Sequence, residues 1–560
     1  MRTVSTTFAL MLLAAVAVAQ ETSTRIEVTD KGAFPVTKVR GGPSPHSPAT
    51  SIDSNPNPSA TGQRWVYPNP AGMPWISQNV SSGNFGTFAW IGQDLNFQRL
   101  SVLAATDDQN PAVPIYEDPL TGSDVFAIAA ADKAPIGVVG RRNTAGNVEE
   151  VRLYSGFSGT AVATATVNTP ITNGFEVAIS DDGERVVVGY NDPSSIPSVD
   201  VYDTFGGSTL SGPTTYTVTG FNSFRELDLS GDGAVILLAT DTADVLLDAA
   251  TGSQIFLDNS TVSVDAHAVN KNGDAFGRGG FDIGAWKKNG ASYNRVVTFN
   301  DASLGFMVSL CCDISADGST FAAAAYDATN ANKLRMYVWS LTPTGSTLLW
   351  TYSKNTTGNL QNAPSAVSIS DDGRWIALGS WGGQFGSQPE TQLFDRDAGN
   401  VAIGSINSPG SVFDAEISGD GQFVIVGTKA VHANSFGNGG RAYSLDRGGQ
   451  GFRLRGTPSI GRAITVEEGG TPGEPVLLTA SLGLLPTPLP VGGFTGTFDL
   501  NPALFLLVPT AVGSVPGAGV LSIPATIPLV PAAIGFTVYA QAIRPSSTTL
   551  DNHIALPITP

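Results

Sequence analysis

Two acidic segments of the chain follow the pattern that opens a calcium-binding loop. Asp228-Leu-Ser-Gly-Asp-Gly233 and Asp313-Ile-Ser-Ala-Asp-Gly318 place carboxylates before a glycine, as in Asp-x-Asx-x-Asx-Gly. Serine stands at the second ligand position of both, and Ala239 and Ala324 stand at the twelfth, where such a loop has glutamate. Asp and Gly are equally typical of a tight turn that holds no ion. We therefore predict turns here and no metal ligands.

Histidines and nucleophiles give no catalytic pattern. The four histidines are not paired at ligand spacing, which predicts that the chain has no zinc site. His267 lies in a strand-like segment and is interpreted as a structural residue. His432, in a long loop, is the better candidate for a binding role. No Gly-x-Ser-x-Gly elbow has a plausible histidine partner. The sequence thus predicts no catalytic residue.

The two cysteines, Cys311 and Cys312, are adjacent. Adjacent cysteines cannot belong to a distributed disulfide framework. In an oxidising compartment they could form a vicinal disulfide. The alternative is two thiols on opposite faces of one strand, and the sequence leaves both open.

A recurring Asp-Gly turn identifies the elements that must position these residues. Successive copies start 50, 40, 45, 55 and 48 residues apart, and short β-patterned segments flank each of them. Asp-Gly between two such segments is a strong hairpin signal, because glycine adopts the required positive φ without strain. The copies are Ser180–Gly183, Ser230–Gly233, Asn270–Gly273, Ser315–Gly318, Ser370–Gly373 and Ser418–Gly421.

A hairpin repeated at this period is typical of a β-propeller. Two weaker copies near residues 88 and 126 bring the count to eight units between about residues 75 and 456. We predict an all-β fold with an eight-bladed propeller, seven blades being the alternative, followed by a small β-sandwich. The predicted domains are a signal peptide at 1–19, a disordered Pro/Ser-rich arm at 20–64, the propeller at 65–456 and the β-sandwich at 457–560.

The propeller pattern predicts a candidate binding surface. The loops that join the second and third strands of each blade open on the face away from the Asp-Gly turns, and loops on a rigid scaffold commonly bind ligands. Residues just after each second strand are expected to surround the mouth of the central channel on that face. With His432, they are Arg141, Tyr190, Asp241, Arg278, Tyr326, Trp381 and Lys429.

The chain ends and the overall charge restrict location and partners. Met1 to Ala19 has one arginine, an apolar core and a small-x-small site, which predicts a signal peptide and a secreted, cell-surface or periplasmic protein. No later segment has 18 uninterrupted apolar residues, so we expect no transmembrane segment. The formal charge of −18 argues against a nucleic-acid partner. We expect a monomer.

Two segments resemble known families. The turns and their flanking strands are similar to the repeats of WD-like and pyrroloquinoline-quinone-type propellers. Asp248-Ala-Ala-Thr-Gly-Ser-Gln-Ile-Phe256 resembles the docking motif of the second type, except that Phe256 replaces its tryptophan. That resemblance implies a quinone-dependent dehydrogenase with pyrroloquinoline quinone and calcium, in which adjacent cysteines lie beside the cofactor.

The last hundred residues have a different composition. Across residues 457–560 the basic residues are Arg462 and Arg544, and Pro, Leu and Gly dominate. The segments starting at Gly456 and Gly535 resemble a small carboxy-terminal β-sandwich of large exported bacterial proteins. The resemblance implies an accessory module for secretion or surface attachment.

Two function classes follow. The leading hypothesis is an exported, non-catalytic propeller without a cofactor, which binds a protein, a glycan or a cell-surface component through the channel-mouth face. The alternative is the quinone-dependent dehydrogenase.

Overall fold

The computed structural model describes most of the chain from residue 62 onward. The described residues are 26–29, 32–35, 62–68, 79–83, 86–93, 99–107, 112–120, 123–143, 148–167, 175–221, 223–259, 263–330, 333–356, 362–382, 388–408, 410–428, 440–448, 452–551 and 553–560. The predicted signal peptide and most of the predicted arm lie outside them, as do Lys429 and His432. No helix in the described part is long and apolar enough to cross a membrane.

The described residues form β-strands joined by turns, with two short 3₁₀ segments near the end of the chain. Near the start, β1 (Ile26–Thr29) pairs with β2 (Gly32–Pro35) within the segment predicted as an arm. The third strand, β3 (Gly62–Pro68), begins just before the predicted propeller.

Eight four-stranded antiparallel sheets lie between residues 62 and 446 of the described chain, numbered here in chain order. Each runs from an inner to an outer strand. Sheet 1 contains β4 (Asn79–Gly83), β5 (Phe88–Gln93), β6 (Arg99–Ala104) and β7 (Tyr116–Pro119). Sheet 2 contains β8 (Ser123–Ala130), β9 (Ile136–Asn143), β10 (Val148–Ser155) and β11 (Ala163–Val167). Sheet 3 contains β12 (Phe175–Ile179), β13 (Arg185–Asn191), β14 (Pro197–Asp203) and β15 (Ser211–Thr217). Sheet 4 contains β16 (Phe224–Leu229), β17 (Val235–Thr240), β18 (Asp244–Asp248) and β19 (Gln254–Asp258).

The next four sheets repeat this order. Sheet 5 contains β20 (Ser263–Val269), β21 (Ala275–Gly280), β22 (Ile283–Asn289) and β23 (Ser292–Phe299). Sheet 6 contains β24 (Met307–Ile314), β25 (Thr320–Asp327), β26 (Lys333–Thr342) and β27 (Gly345–Asn355). Sheet 7 contains β28 (Pro364–Ile369), β29 (Trp375–Ser380), β30 (Thr391–Asp395) and β31 (Ala402–Ile406). Sheet 8 contains β32 (Val412–Ile417), β33 (Phe423–Thr428), β34 (Arg441–Asp446) and, as its outer strand, β3.

The inner strands form a closed ring. Each inner strand contacts the inner strands of its two neighbours, and β32 of sheet 8 contacts β4 of sheet 1. Sheet 8 is completed by β3, which comes from the other end of this unit and pairs with β34. A ring of radially placed four-stranded sheets is a β-propeller.

Hydrophobic clusters between neighbouring sheets hold the ring together. One cluster joins sheets 2 and 3, another joins sheets 6 and 7, and a third joins sheets 7 and 8. Glycines on second strands let aromatic rings of the next sheet approach: a Cβ on Gly140 would lie 2.3 Å from the ring of Phe175, and one on Gly189 would lie 2.3 Å from that of Phe224. These glycines are required by close packing.

The chain divides into two compact units, one of residues 61–105 and 110–447 and another built on residues 448–560. In the second unit, one sheet contains β35 (Phe452–Arg455), β36 (Ala463–Gly469) and β41 (Val520–Thr526). A second sheet contains β37 (Pro475–Ser481), β40 (Phe505–Ser514), β42 (Thr537–Arg544), β43 (Thr549–Leu550) and β44 (Ile554–Pro557). The strands β38 (Leu484–Pro490) and β39 (Thr497–Leu500) form a hairpin, and the 3₁₀ segments are Pro502–Leu504 and Pro531–Ala533. One hydrophobic core contains side chains from both larger sheets.

Candidate functional site

The inner strands and their turns enclose a cavity of about 640 Å³, called here the channel cavity. Carboxylates dominate its wall. The acidic residues that line it are Asp132, Glu176, Asp181, Glu226, Asp228, Asp313, Asp371, Asp414 and Glu416, and Lys271 and His267 also line it.

Several of these wall residues join neighbouring sheets. Neighbouring inner strands do not form a ladder, so their edge N–H groups need other acceptors. Glu176 accepts the N–H of Leu227 at 2.7 Å, and the same contact between successive inner strands recurs around the ring. The other pairs are Asp228 with the N–H of Val269 at 2.8 Å, Asp313 with that of Ile369 at 2.6 Å and the Ser368 hydroxyl with that of Ile417 at 3.1 Å.

The two aspartates of this set titrate near neutrality. Burial raises the pKa of Asp228 to about 7, although the N–H groups of Val269 and Leu229 oppose the rise. Burial likewise raises the pKa of Asp313 to about 7, against the N–H groups of Ile369 and Ile314. Both are the opening aspartates of the calcium-like segments. Their oxygens are engaged by backbone donors within and between sheets, which explains the pattern without an ion.

His267 is held between two carboxylates. Its Nδ1 lies 2.9 Å from Glu226 Oε2 and its Nε2 lies 2.8 Å from Asp244 Oδ1, and its side chain is fully buried. Burial lowers the imidazole pKa, but Asp244 and Glu226 outweigh that effect and raise it to about 10. The side chain is therefore a cation that donates from both nitrogens, and it is unsuited to act as a base at neutral pH.

Three residues of the predicted channel-mouth ring are buried in ion pairs or hydrogen bonds, two of them within their own sheets. Arg141 donates to Glu150 Oε2 from Nε at 2.8 Å and from Nη2 at 2.5 Å. The hydroxyl of Tyr190 donates to Asp200 Oδ1 at 3.1 Å. Both side chains belong to second strands rather than to the loops that follow them.

Arg278 is the third and the most enclosed, since it is 1% exposed. Its guanidinium donates to Asp244 and Asp258 at 3.1 Å each and to Asp282 at 3.2 Å, and it lies 5.0 Å from the ring of Trp286. Through Asp244 it continues the chain of charges that starts at Glu226 in the channel wall. This network links sheets 4 and 5.

Asp241, Tyr326 and Trp381 are partly exposed. Asp241 and Trp381 follow directly after β17 and β29, and their N–H groups donate to Ser223 and Ala363 at the start of the inner strands. Tyr326 is the penultimate residue of β25. Lys429 and His432 lie outside the described residues.

The cysteines are free thiols in the structure. Cys311 belongs to the cluster between sheets 6 and 7, whereas Cys312 belongs to the cluster with sheet 5, so the two side chains lie on opposite faces of β24. Both also line the channel cavity. Burial raises the pKa of both thiols well above the ordinary range. Two free thiols on opposite faces of one strand are the alternative to a vicinal disulfide that the sequence left open.

An exposed aromatic pair lies on the face opposite the Asp-Gly turns. Phe281, in the loop between β21 and β22, is 41% exposed, and Phe306, just before β24, is 49% exposed. Their ring centroids are 5.3 Å apart. Phe306 is joined to the end of β25, since its N–H donates to Asp327 next to Tyr326. Sequence reasoning missed Phe281 because it ended the second strand of sheet 5 before Arg278, whereas β21 continues to Gly280. It missed Phe306 because it did not consider residues that precede an inner strand.

The described residues contain no group of three His, Cys, Asp or Glu side chains placed to hold a metal ion. Among the cavity carboxylates, Glu176, Asp228 and Asp313 accept backbone N–H groups from the next sheet. The carboxylates of Glu226, Asp132, Asp181 and Asp371 pair with His267 or Lys271. The described wall therefore does not fit the calcium that the quinone-dependent alternative requires.

No family model matches the chain, and no curated protein matches it. Among solved structures, it is similar to the Dos1 propeller, with 12% identity, a TM-score of 0.49 and coverage of 70% of this chain and 96% of that one. It is also similar to the Cps50 (Swd1) β-propeller domain of Myceliophteria thermophila, with 10% identity, a TM-score of 0.41 and coverage of 68% and 99%.

Proposed function

We propose that the protein is an exported, non-catalytic propeller of eight blades with a carboxy-terminal β-sandwich, and that it binds a protein partner. In this proposal each four-stranded sheet of residues 62–446 is one blade. The partner binds on the face that carries the second-to-third-strand loops, and a monomer is sufficient.

The observation that carries the proposal is the Phe281–Phe306 pair. Large aromatic side chains contribute strongly to protein interfaces, because they bury much area at a low cost in conformational entropy. Both are nearly half exposed, and they project from loops of adjacent blades that a rigid sheet pair supports. Phenylalanine has no hydrogen-bonding group, so the pair suits an apolar protein side chain better than a sugar.

The channel wall supports the non-catalytic part of the proposal. Asp228 and Asp313 of the wall hold neighbouring blades together by accepting backbone N–H groups, and His267 is fixed as a cation. A proton-transfer residue needs a pKa near neutrality and access to a substrate. Asp228 and Asp313 have the first property, but backbone N–H groups occupy both of their oxygens.

A pair of variants tests the binding face. The double variant Phe281→Ala/Phe306→Ala should lose the partner that the wild-type protein retains from a surface fraction of the source culture, with an unchanged melting temperature. Phe205→Ala is the matched control, because Phe205 is 48% exposed but lies in the connection between β14 and β15, on the Asp-Gly face. Loss of the partner in the control, or its retention in the double variant, contradicts the proposal.

The quinone-dependent alternative has its own test. Purified protein with pyrroloquinoline quinone and calcium should show no new visible absorbance and no alcohol oxidation. A cofactor spectrum with turnover would replace the proposed function by the alternative. The adjacent cysteines no longer favour that alternative, because they lie on opposite faces of β24.

A further inference from the structure

From sheet 2 to sheet 8, the second residue of each inner turn faces the channel cavity at the Asp-Gly end. Sheet 2 lacks the Asp-Gly motif, but its inner turn has an equivalent position. The N–H of Ala131 donates to the carbonyl of Ile136 across this turn, as the N–H of Ser180 donates to Arg185 in sheet 3, so Asp132 is equivalent to Asp181. From sheet 2 to sheet 8, these residues are Asp132, Asp181, Gly231, Lys271, Ala316, Asp371 and Gly419. Lysine is the one basic member of this set.

The ammonium of Lys271 contacts carboxylates from three other sheets. Its Nζ lies 2.7 Å from Asp132 of sheet 2, 3.0 Å from Asp181 of sheet 3 and 2.8 Å from Asp371 of sheet 7. Lys271 itself belongs to sheet 5, so its partners lie on both sides of it around the ring. One atom can approach all of them only near the ring axis. The side chain therefore crosses the mouth of the channel.

The neighbouring turns leave space for this cluster. A Cβ on Gly231 would lie 2.5 Å from an oxygen of Asp181, and one on Gly419 would lie 2.9 Å from an oxygen of Asp371. The N–H groups of Asp181 and Asp371 donate to the carbonyls of Gly231 and Gly419, each at 2.8 Å. The glycine carbonyls thus hold the backbone of the two aspartates, and the missing Cβ atoms leave room for their carboxylates to reach the axis.

The electrostatics favour a permanently charged lysine. Burial lowers the pKa of Lys271, but Asp132, Asp371 and Asp181 outweigh that effect and raise it above its ordinary value. Without the ammonium, three carboxylates would lie together in a partly buried space, which like-charge repulsion disfavours. The cluster is therefore held by the lysine rather than by contacts among the acids.

We propose that Lys271 is an ionic plug that closes the Asp-Gly mouth of the channel. The plug keeps solutes from entering the channel cavity through that face. This inference does not depend on the identity of any partner at the opposite face.

Thiol labelling of the full-length protein tests the plug, because Cys311 and Cys312 line the cavity behind it. The probes are a trimethylammonium-bearing and a sulfonate-bearing methanethiosulfonate, applied to folded protein. In Lys271→Met, which keeps the aliphatic stem, the rate with the cationic reagent should rise about tenfold, because a negatively charged cleft concentrates cations. The rate with the anionic reagent should rise much less.

Lys133→Met is the matched control. Lys133 pairs with the same Asp181 at 3.1 Å, but its side chain is 55% exposed and lies outside the plug, so its loss should leave both rates unchanged. Equal rates in the wild-type protein and Lys271→Met overturn the proposal. An equal rise with both reagents also overturns it, since unfolding would expose the thiols regardless of reagent charge.

Lys271→Gln keeps the test available if Lys271→Met does not fold. Its amide can still donate to one or two of the carboxylates, so a smaller but charge-selective rise is expected. Unchanged rates in folded Lys271→Gln count against the plug.

Discussion

At the scale of single residues, the buried acids of the channel wall make stability depend on pH. The folded-state pKa values of Asp228 and Asp313 are about 7, above the value near 4 of an unfolded chain. Between these values the folded state binds protons that the unfolded state does not. Their contribution to stability is therefore complete below about pH 4 and is lost as the pH rises through 7.

We expect Asp228→Asn/Asp313→Asn to flatten this dependence. In the wild-type protein, each carboxyl should lower the unfolding free energy by about 1–2 kcal/mol between pH 4 and 7, allowing for screening in the channel. The double variant should not show this fall. Its stability should be lower at acid pH, because the amide NH2 cannot accept the second backbone N–H, as the hydroxyl oxygen of the protonated carboxyl can. Melting temperatures at several pH values measure the slope.

Ser368→Ala provides the comparison for that experiment. Ser368 accepts the N–H of Ile417 in the same kind of contact between inner strands but does not titrate in this range. Its loss should lower the melting temperature by a similar amount at every pH. If the aspartate double variant keeps the wild-type slope, the raised pKa values are incorrect.

What the sequence could not predict at this scale is the partner of each polar residue. Arginines such as Arg141 and Arg278 are common on binding surfaces. In the structure, Glu150 neutralises Arg141 and Asp244 neutralises Arg278 away from the surface. Their partners lie on other strands, and nothing in the local pattern distinguishes a buried ion pair from an exposed charge. The same holds for His267, whose acceptors come from sheet 4.

At the scale of elements, the turns follow the sequence closely because local chemistry decides them. The predicted positive φ is confirmed at Gly233, Gly318, Gly373 and Gly421, with values of 69, 64, 68 and 69°. In each turn the Ser side chain bonds to the Asp carboxylate two residues later, as Ser370 does with Asp372 at 2.6 Å. These hydrogen bonds join residues two positions apart, so the turn conformation does not depend on distant parts of the chain.

Gly373→Ala should cost more stability than Gly290→Ala. Both glycines have positive φ, 68° and 65°, so both substitutions incur a backbone strain of about 1–2 kcal/mol. A Cβ on Gly373 would also lie 2.5 Å from Thr320 Oγ1, whereas one on Gly290 meets nothing within 4 Å. Crowding should add about 1–3 kcal/mol at Gly373. Denaturant unfolding of both variants checks the difference, and equal losses would show that the turn relaxes.

At the scale of the whole molecule, the all-β class and the propeller arrangement were predictable from the turn spacing. Every repeat contains the local sequence pattern of its own hairpin, so no information from distant residues is needed. The closure of the ring was not. Sheet 8 takes its outer strand from β3, which precedes sheet 1 in the chain, and the short strand carries no repeat signal of its own. The pairing depends on contacts between segments almost 400 residues apart in sequence.

Arg64 is the residue through which this closure can be tested. Its Nη1 donates to Asp446 Oδ2 at 2.9 Å, which joins β3 to the last strand of the ring, and both side chains are 1% exposed. Removing one member of a buried ion pair costs about 3–5 kcal/mol, and the lower end of this range applies here because Gln422 also donates to Asp446. Arg64→Met should therefore lower the unfolding free energy of the propeller by that amount.

The matched surface variant is Arg185→Met. Arg185 pairs with Asp203 at 3.5 Å, with side chains 28% and 52% exposed, and such pairs contribute at most about 1 kcal/mol. Its Nη1 also donates to the Gly233 carbonyl at 2.7 Å, which adds about 1 kcal/mol, so the variant should still lose less stability than Arg64→Met. Denaturant unfolding compares the two variants, and protease cleavage near residue 62 reports whether β3 has detached. If Arg64→Met is as stable as Arg185→Met and no more easily cleaved, the ring is closed by backbone pairing and packing of β3 alone. If it is much less stable and cleaved first at β3, the buried pair locks the two ends of the ring together.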